Sequence, residues 1–444
     1  MAADAKPRAS LSVLDGVALM VGIVVGIGIF RTPPLVAANV GSETAFILVW
    51  LLGGLAVLIG AMCYAELAAA HPNVGGEYHF LRRAFGRQVA LLFAWARCTV
   101  IQPGAIAAVA FVYGDYAQQI LPLGTIGPAL HAGLAIALLT VLNMIGTVQS
   151  KAFQIVFTAL TLGAVASVVV AGFFAAPVSA APPGAEGAGP AGALGMAMVF
   201  VLLTYGGWNE AAYMSGELRD VRRAMIRVLV YGTAVIVITY TAVNLSFLAL
   251  LGLEGLRATD APAAAVMRGT AGEAGVLVLS MIVCCAALST INGTVFTGAR
   301  AYYALGRDVP QLPGVGDWDG RGETPKNGLL VQGAIALALV VLGAVTRDGF
   351  QAMVDYTAPV FWLFMLLVSL SLFVLRRSEP DRERPFEVPL YPVLPALFAL
   401  TCAGLLYSSL VYTGNGALVG VGVLVAGLPL LLLKPPSGVQ QPAE

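Results

Sequence analysis

Long apolar runs separated by short polar breaks fill the chain from residue 14 to residue 433. A hydrocarbon core about 30 Å thick needs roughly 20 apolar residues per helix, and on that rule the pattern predicts about twelve transmembrane helices in an all-α membrane protein. The first five run near 14–37, 44–70, 88–120, 128–146 and 152–175, and the next five near 193–217, 226–252, 274–304, 328–346 and 354–375. Two more, near 391–412 and 416–433, close the chain. The Pro/Gly/Ala stretch at 176–193 separates the two sets of five and reads as a flexible external loop. The expected organisation is therefore a first five-helix repeat (14–175), a second (193–376) and two additional C-terminal helices (391–433).

Lys and Arg placement gives the orientation, because positively charged loops stay in the cytoplasm. With an inside N-terminus, the inner segments hold Arg82, Arg83, Arg87, Lys151, Arg219, Arg222, Arg223, Arg227, Arg376, Arg377, Arg382 and Arg384, among others. The outer loops hold only Arg257, Arg268 and Arg347. Both termini are thus expected in the cytoplasm. Five spans per half is an odd number, so the second half enters from the opposite side, as inverted repeats require.

Two spans are interrupted. Gly26-Ile27-Gly28 breaks the apolar run from Val17 to Phe30, and Thr204-Tyr205-Gly206-Gly207-Trp208-Asn209-Glu210 places a polar, glycine-rich heptad inside the sixth. Backbone at membrane depth must be hydrogen-bonded within the protein, so a helix opens there only where a cavity or ligand receives the freed groups. Paired breaks of this kind mark the substrate site of secondary transporters. The piece beyond Gly28 offers unpaired N–H groups and the positive end of its dipole, which suits a carboxylate. Opening across Thr204 to Gly207 frees carbonyl oxygens, which suit an ammonium. Together they describe the α-carbon end of an amino acid. Close helix packing is the competing explanation for the GxG; it explains less of a stretch that also carries Trp, Asn and Glu.

Composition agrees: 444 residues, 59% hydrophobic and 11% charged, exceed what a soluble core could bury. Lys plus Arg and Asp plus Glu are both 24, so no net field points to nucleic acid. The first apolar run continues into further spans, and its helix is expected to be retained rather than cleaved. Cys63, Cys98, Cys284, Cys285 and Cys402 lie in apolar segments without metal-ligand spacing, and read as small core residues. No cofactor is implied. A polytopic membrane enzyme would need converging His, Asp or Glu groups, and the sequence shows no such cluster.

Gly22 to Pro34, Cys63 to Leu67 with Gly75 to Tyr78, Tyr205 to Asn209, and Ala287 to Phe296 together resemble the L-type amino acid transporters of the amino acid, polyamine and organocation superfamily. The likeness runs from about Leu14 to the Arg384-Pro385 region. It implies a LeuT-like 5+5 inverted repeat with discontinuous helices 1 and 6, and amino acid transport by alternating access. It also implies that Gly26, Ile27 and Gly28 bind the substrate carboxylate, that Leu203, Thr204 and Gly206 bind the amino group, and that a bulky residue of this stretch gates the site. Trp208, Asn209 and Glu210 join Leu203 as candidates for the side-chain pocket.

Some positions depart from the family pattern. Ile27 stands where serine is usual, leaving only backbone donors, and Leu203 replaces an aromatic gate. Thr161 stands where many relatives carry a lysine able to replace a bound cation, so coupling is open between exchange and symport. Ser289 and Thr290 resemble the hydroxyl pair of a sodium site, or are helix hydroxyls bonded back to their own backbone. Glu210 could carry a proton or meet a cationic side chain, or be structurally paired. The expected substrate is a neutral amino acid, with a proton-linked cationic amino acid or polyamine as the alternative. No outer loop contains cysteine, so no disulfide-linked partner subunit is expected. The Arg-over-Lys, Ala/Gly-rich composition points to a bacterial inner membrane.

Overall fold

The structure is a computed structural model describing residues 12–26, 28–73, 76–145, 150–174, 193–209, 221–259, 261–309, 312, 314–317, 324–345, 348–412 and 415–432. Every regular element described is a helix. In chain order they are α1 (Val13–Val24), α2 (Gly28–Ala38), α3 (Glu43–Ala70), α4 (Gly76–Phe85), α5 (Arg87–Ala96), a π-helical turn (Arg97–Ile101) and α6 (Gln102–Ile120). Then come α7 (Gly127–Ile145), α8 (Ser150–Phe174), α9 (Ala193–Thr204), α10 (Val221–Arg257) and α11 (Pro262–Asp308). The series ends with α12 (Lys326–Ala344), α13 (Gly349–Ser378), α14 (Val393–Tyr412), α15 (Asn415–Val425) and a 3-10 turn at Leu428–Leu432. Among the described residues, eight helices are long and apolar enough to cross a membrane. Three shorter apolar helices, Leu160–Gly172, Leu194–Thr204 and Gly416–Leu432, accompany them.

α3 shows how the sequence builds such a span. The Ser42 side chain accepts from the Ala45 N–H at 3.1 Å, capping a helix whose first turn carries Glu43. The interior then runs apolar to Ala65, with Trp50 buried and Leu48, Leu51, Leu52 and Leu55 exposed. Exposed leucines in that number are unfavourable against water and cost nothing against lipid tails.

Contacts divide the chain into two compact units. The first comprises Met1–Gly86, Ala159–Val283 and Trp362–Tyr412. Within it α3 lies against α9, α10 and α14, while α2 lies against α9 and α10. The second comprises Arg87–Thr158, Cys284–Phe361 and Thr413–Glu444, and centres on α6, α7 and α12.

The second unit departs from an uninterrupted helix over 88–120. The Gln102 N–H reaches Arg97 O, five residues back, which is the π-helical step. Pro103 has no N–H, so Cys98 O and Thr99 O lose the donor that either register would have supplied. Two tyrosines replace it: Tyr302 donates to Cys98 O, and Tyr356 donates to Thr99 O at 2.9 Å. α4 is a further element that the hydrophobic pattern does not mark, because it is short and amphipathic and carries Glu77, His79, Arg82 and Arg83.

Candidate functional site

The first break falls where glycine was expected to open the helix. α1 ends at Val24 and α2 begins at Gly28; the Gly26 N–H turns back to Val24 O at 2.6 Å instead of continuing the helical ladder. Ile27 lies outside the described residues. The first N–H groups of α2 have no helical acceptor behind them.

At the second break α9 ends at Thr204. The Tyr205 N–H still reaches Val201 O, but the Gly206 N–H takes Leu203 O at 3.0 Å, one residue short of its helical partner Leu202 O. Gly207 follows at φ 103, a conformation natural for glycine alone. Glu210 and the residues up to 220 lie outside the described residues.

The two breaks touch. A Cβ added to Gly28 would meet Thr204 Cγ2 at 3.3 Å, so glycine is what lets α2 approach α9 this closely. Thr32 Oγ1 donates to Gly28 O at 2.8 Å and accepts from Thr204 Oγ1 at 2.6 Å. Tyr240 of α10 donates to Val24 O at 2.6 Å and stands 3.4 Å from Thr204 O, facing the main chain of both breaks. Beneath them Trp50, Tyr205 and Tyr240 form a buried aromatic cluster with centroids 5.2–6.2 Å apart.

The remaining site candidates are placed as follows. Leu203 is half-buried. Trp208 is buried with its ring 4.8 Å from Tyr64 and 6.2 Å from Phe398. The Asn209 Nδ2 donates to Glu77 Oε1 at 2.9 Å. The side chains of Trp208 and Asn209 therefore anchor the break to α3, α4 and α14. Thr161 is buried in α8, within the first unit. Ser289 and Thr290 lie in α11, within the second unit, where Thr290 Oγ1 donates back to Ala286 O at 3.1 Å and Ser289 is buried. Thr32, Glu77 and Tyr240 join the site from the structure alone. Thr32 sits one turn beyond Gly28 and could have been found by helical spacing, whereas Tyr240 comes from a separate span.

Charge in the first unit gathers at one end of α3. Glu66, 1% exposed, holds the Arg376 guanidinium bidentately at 2.6 Å for both bonds, and accepts the Val388 N–H at 2.7 Å. A carboxylate this deeply buried is held by charge and hydrogen-bond partners on both of its oxygens. Next to it, burial pushes the His71 imidazole down to about 4, opposed by Glu379 with its carboxylate 4.0 Å away and reinforced by Arg382 and Arg83. His79 is lowered for the same reason, burial first and then Arg83 and Arg82.

A transporter-like pair of helix breaks in an apolar all-helical chain is matched by descent. The amino acid permease family profile covers residues 11–432. The chain belongs to that family. The permease is 30% identical over 399 residues to the b(0,+)-type amino acid transporter 1 of Mus musculus, spanning 88% of this chain and 81% of that protein. It is 24% identical over 438 residues to the cystine/glutamate transporter of Homo sapiens, spanning 96% and 85%. It is also 28% identical over 444 residues to the large neutral amino acids transporter small subunit 2 of Oryctolagus cuniculus, spanning 96% and 80%. The resemblance to the L-type transporters of the amino acid, polyamine and organocation superfamily is thereby shown. The permease is an integral multi-pass membrane protein and an amino acid transporter, not an enzyme.

Proposed function

We propose that this permease moves neutral amino acids by alternating access, holding the zwitterionic end of the substrate between the two helix breaks. The observation that carries this reading is the direct contact of the breaks, Gly28 against Thr204 and Thr32 bonded to Thr204. The N-terminus of α2 is suited to the carboxylate, and the carbonyls ending α9 are suited to the ammonium. Gly26, Ile27 and Gly28 are assigned to the first role and Leu203, Thr204 and Gly206 to the second. The names of the relatives, which include large neutral amino acids and cystine/glutamate, support an α-amino acid without choosing its side chain.

The architecture proposed around this site is the twelve-helix, LeuT-like inverted repeat with boundaries 14–175, 193–376 and 391–433, both termini in the cytoplasm, in a bacterial inner membrane. All five cysteines lie within helices, and none lies in a predicted outer loop, which supports a permease without a disulfide-linked subunit. Coupling is either exchange or symport with sodium or protons. The Thr290 hydroxyl donates its hydrogen to Ala286 O and keeps its oxygen lone pairs for a cation, so Ser289 and Thr290 leave exchange and sodium symport both open, and Glu210 keeps a proton-linked cationic substrate as the second reading.

Uptake of labelled amino acids by proteoliposomes tests the proposal. Neutral amino acids are expected to enter, and faster when the lumen holds unlabelled substrate. Indifference to sodium and to pH would identify an exchanger, and strict dependence on either would identify the coupling ion. Replacing Gly206 by leucine is expected to abolish uptake at normal membrane levels, since an added Cβ would already meet Leu203 O at 2.8 Å. Normal uptake by that variant would reject the site.

A further inference from the structure

The second break needs more than its own backbone to keep its shape. Past Tyr205 the chain has left the helical ladder, and Trp208 and Asn209 lie in a 3-10 turn. Two side chains hold that turn from outside. Tyr64 of α3 donates its hydroxyl to Glu77 Oε1 at 2.8 Å, and Asn209 donates its amide to the same oxygen at 2.9 Å. The Tyr64 ring also packs edge-on against Trp208, and its hydroxyl lies 3.2 Å from Met365 Sδ of α13. Glu77 and Asn209 are each 5% exposed and Tyr64 is fully buried, so water does not compete for these bonds. Glu77 stands in the first turn of α4, where the helix dipole favours a carboxylate.

We propose that Glu77 is a positioning residue for the substrate seat: through Asn209 and Tyr64 it fixes the turn that follows α9, and so fixes where the carbonyls of the second break point. This rests on the reading of the break as the ammonium seat. The carboxylate does not touch substrate; α4 acts as a strut between α3 and the opened helix. A carboxyl oxygen suits this task because its two lone pairs let it accept from the Tyr64 hydroxyl and the Asn209 amide at once.

Two measurements on the full-length protein test it, with variants E77A and N209D and the double variant E77Q/N209D. The N209D change sets a second carboxylate against Glu77. In the double variant the amide nitrogen introduced at position 77 takes the place of Oε1 and offers one N–H to the carboxylate at position 209 and the other to the Tyr64 oxygen, whose own hydrogen turns to Met365 Sδ. Amide hydrogen exchange over residues 205–209 in purified protein is expected to accelerate roughly tenfold in E77A and in N209D, and to return to within about threefold of wild type in the double variant. Uptake by proteoliposomes, normalised to protein in the membrane, is expected to show KM raised in the single variants and recovered in the double. Unchanged exchange, or a double variant no better than N209D, would overturn the strut. Altered exchange with unchanged KM would overturn its role in positioning the seat. Absence of uptake by the wild type would reject the transporter reading itself and the positioning role with it, leaving exchange to report on the strut alone.

Discussion

Tyr240 occupies a position that few side chains could fill, with its hydroxyl donating to Val24 O on one side of the site and facing Thr204 O on the other. Removing it in Y240F would leave buried carbonyls short of a donor, at a cost of about 1–3 kcal/mol. A KM raised roughly tenfold in proteoliposome uptake is expected, with membrane levels maintained because the ring remains in the Trp50-Tyr205 cluster; an unchanged KM would remove Tyr240 from the site. The glycines of both breaks are legible in the sequence because each violates the apolar pattern around it. Tyr240 is not, since an isolated tyrosine inside an apolar span carries no signal until folding brings it beside a carbonyl 36 residues away in sequence. Asn209 is legible as unusual but not in its partner, because Glu77 approaches it from a loop helix that hydropathy does not register.

At the level of elements, the π-helical turn of the third span depends on partners outside that span. Pro103 withholds a donor, and Tyr302 and Tyr356 supply replacements to consecutive carbonyls. An alanine at position 103 would return an N–H to compete with the tyrosines. Thermal unfolding in detergent is therefore expected to show Y356F destabilising the wild type by about 1–2 kcal/mol, and less in a P103A background, giving a coupling of roughly 1 kcal/mol in the double-mutant cycle. Strict additivity would disconnect the tyrosine from the proline. Span positions follow closely from the requirement for about 20 apolar residues per crossing; α3 is expected at 44–70 and is found at Glu43–Ala70. Interruptions such as the turn at Arg97–Ile101 escape that rule because they arise from side chains in α11 and α13, not from the local pattern.

On the scale of the molecule, the cluster at the end of α3 links protonation to folding. His71 is 3% exposed and its folded value near 4 lies below the ordinary 6.5, so the unfolded chain binds the proton more readily. The resulting stabilisation is fully present above about pH 6.5 and is lost as pH falls toward 4, on the order of 3 kcal/mol at completion. Unfolding measured in detergent from pH 7 to 4.5 is expected to lose stability more steeply in wild type than in H71Q; parallel curves would exclude His71 as the source.

Both interruptions, and the Thr32–Thr204 link between them, belong to the first compact unit. A cradle split between separately moving bodies would have to be assembled and dismantled in each cycle. On the proposed reading, both charged ends of the cargo are gripped by residues of that one unit.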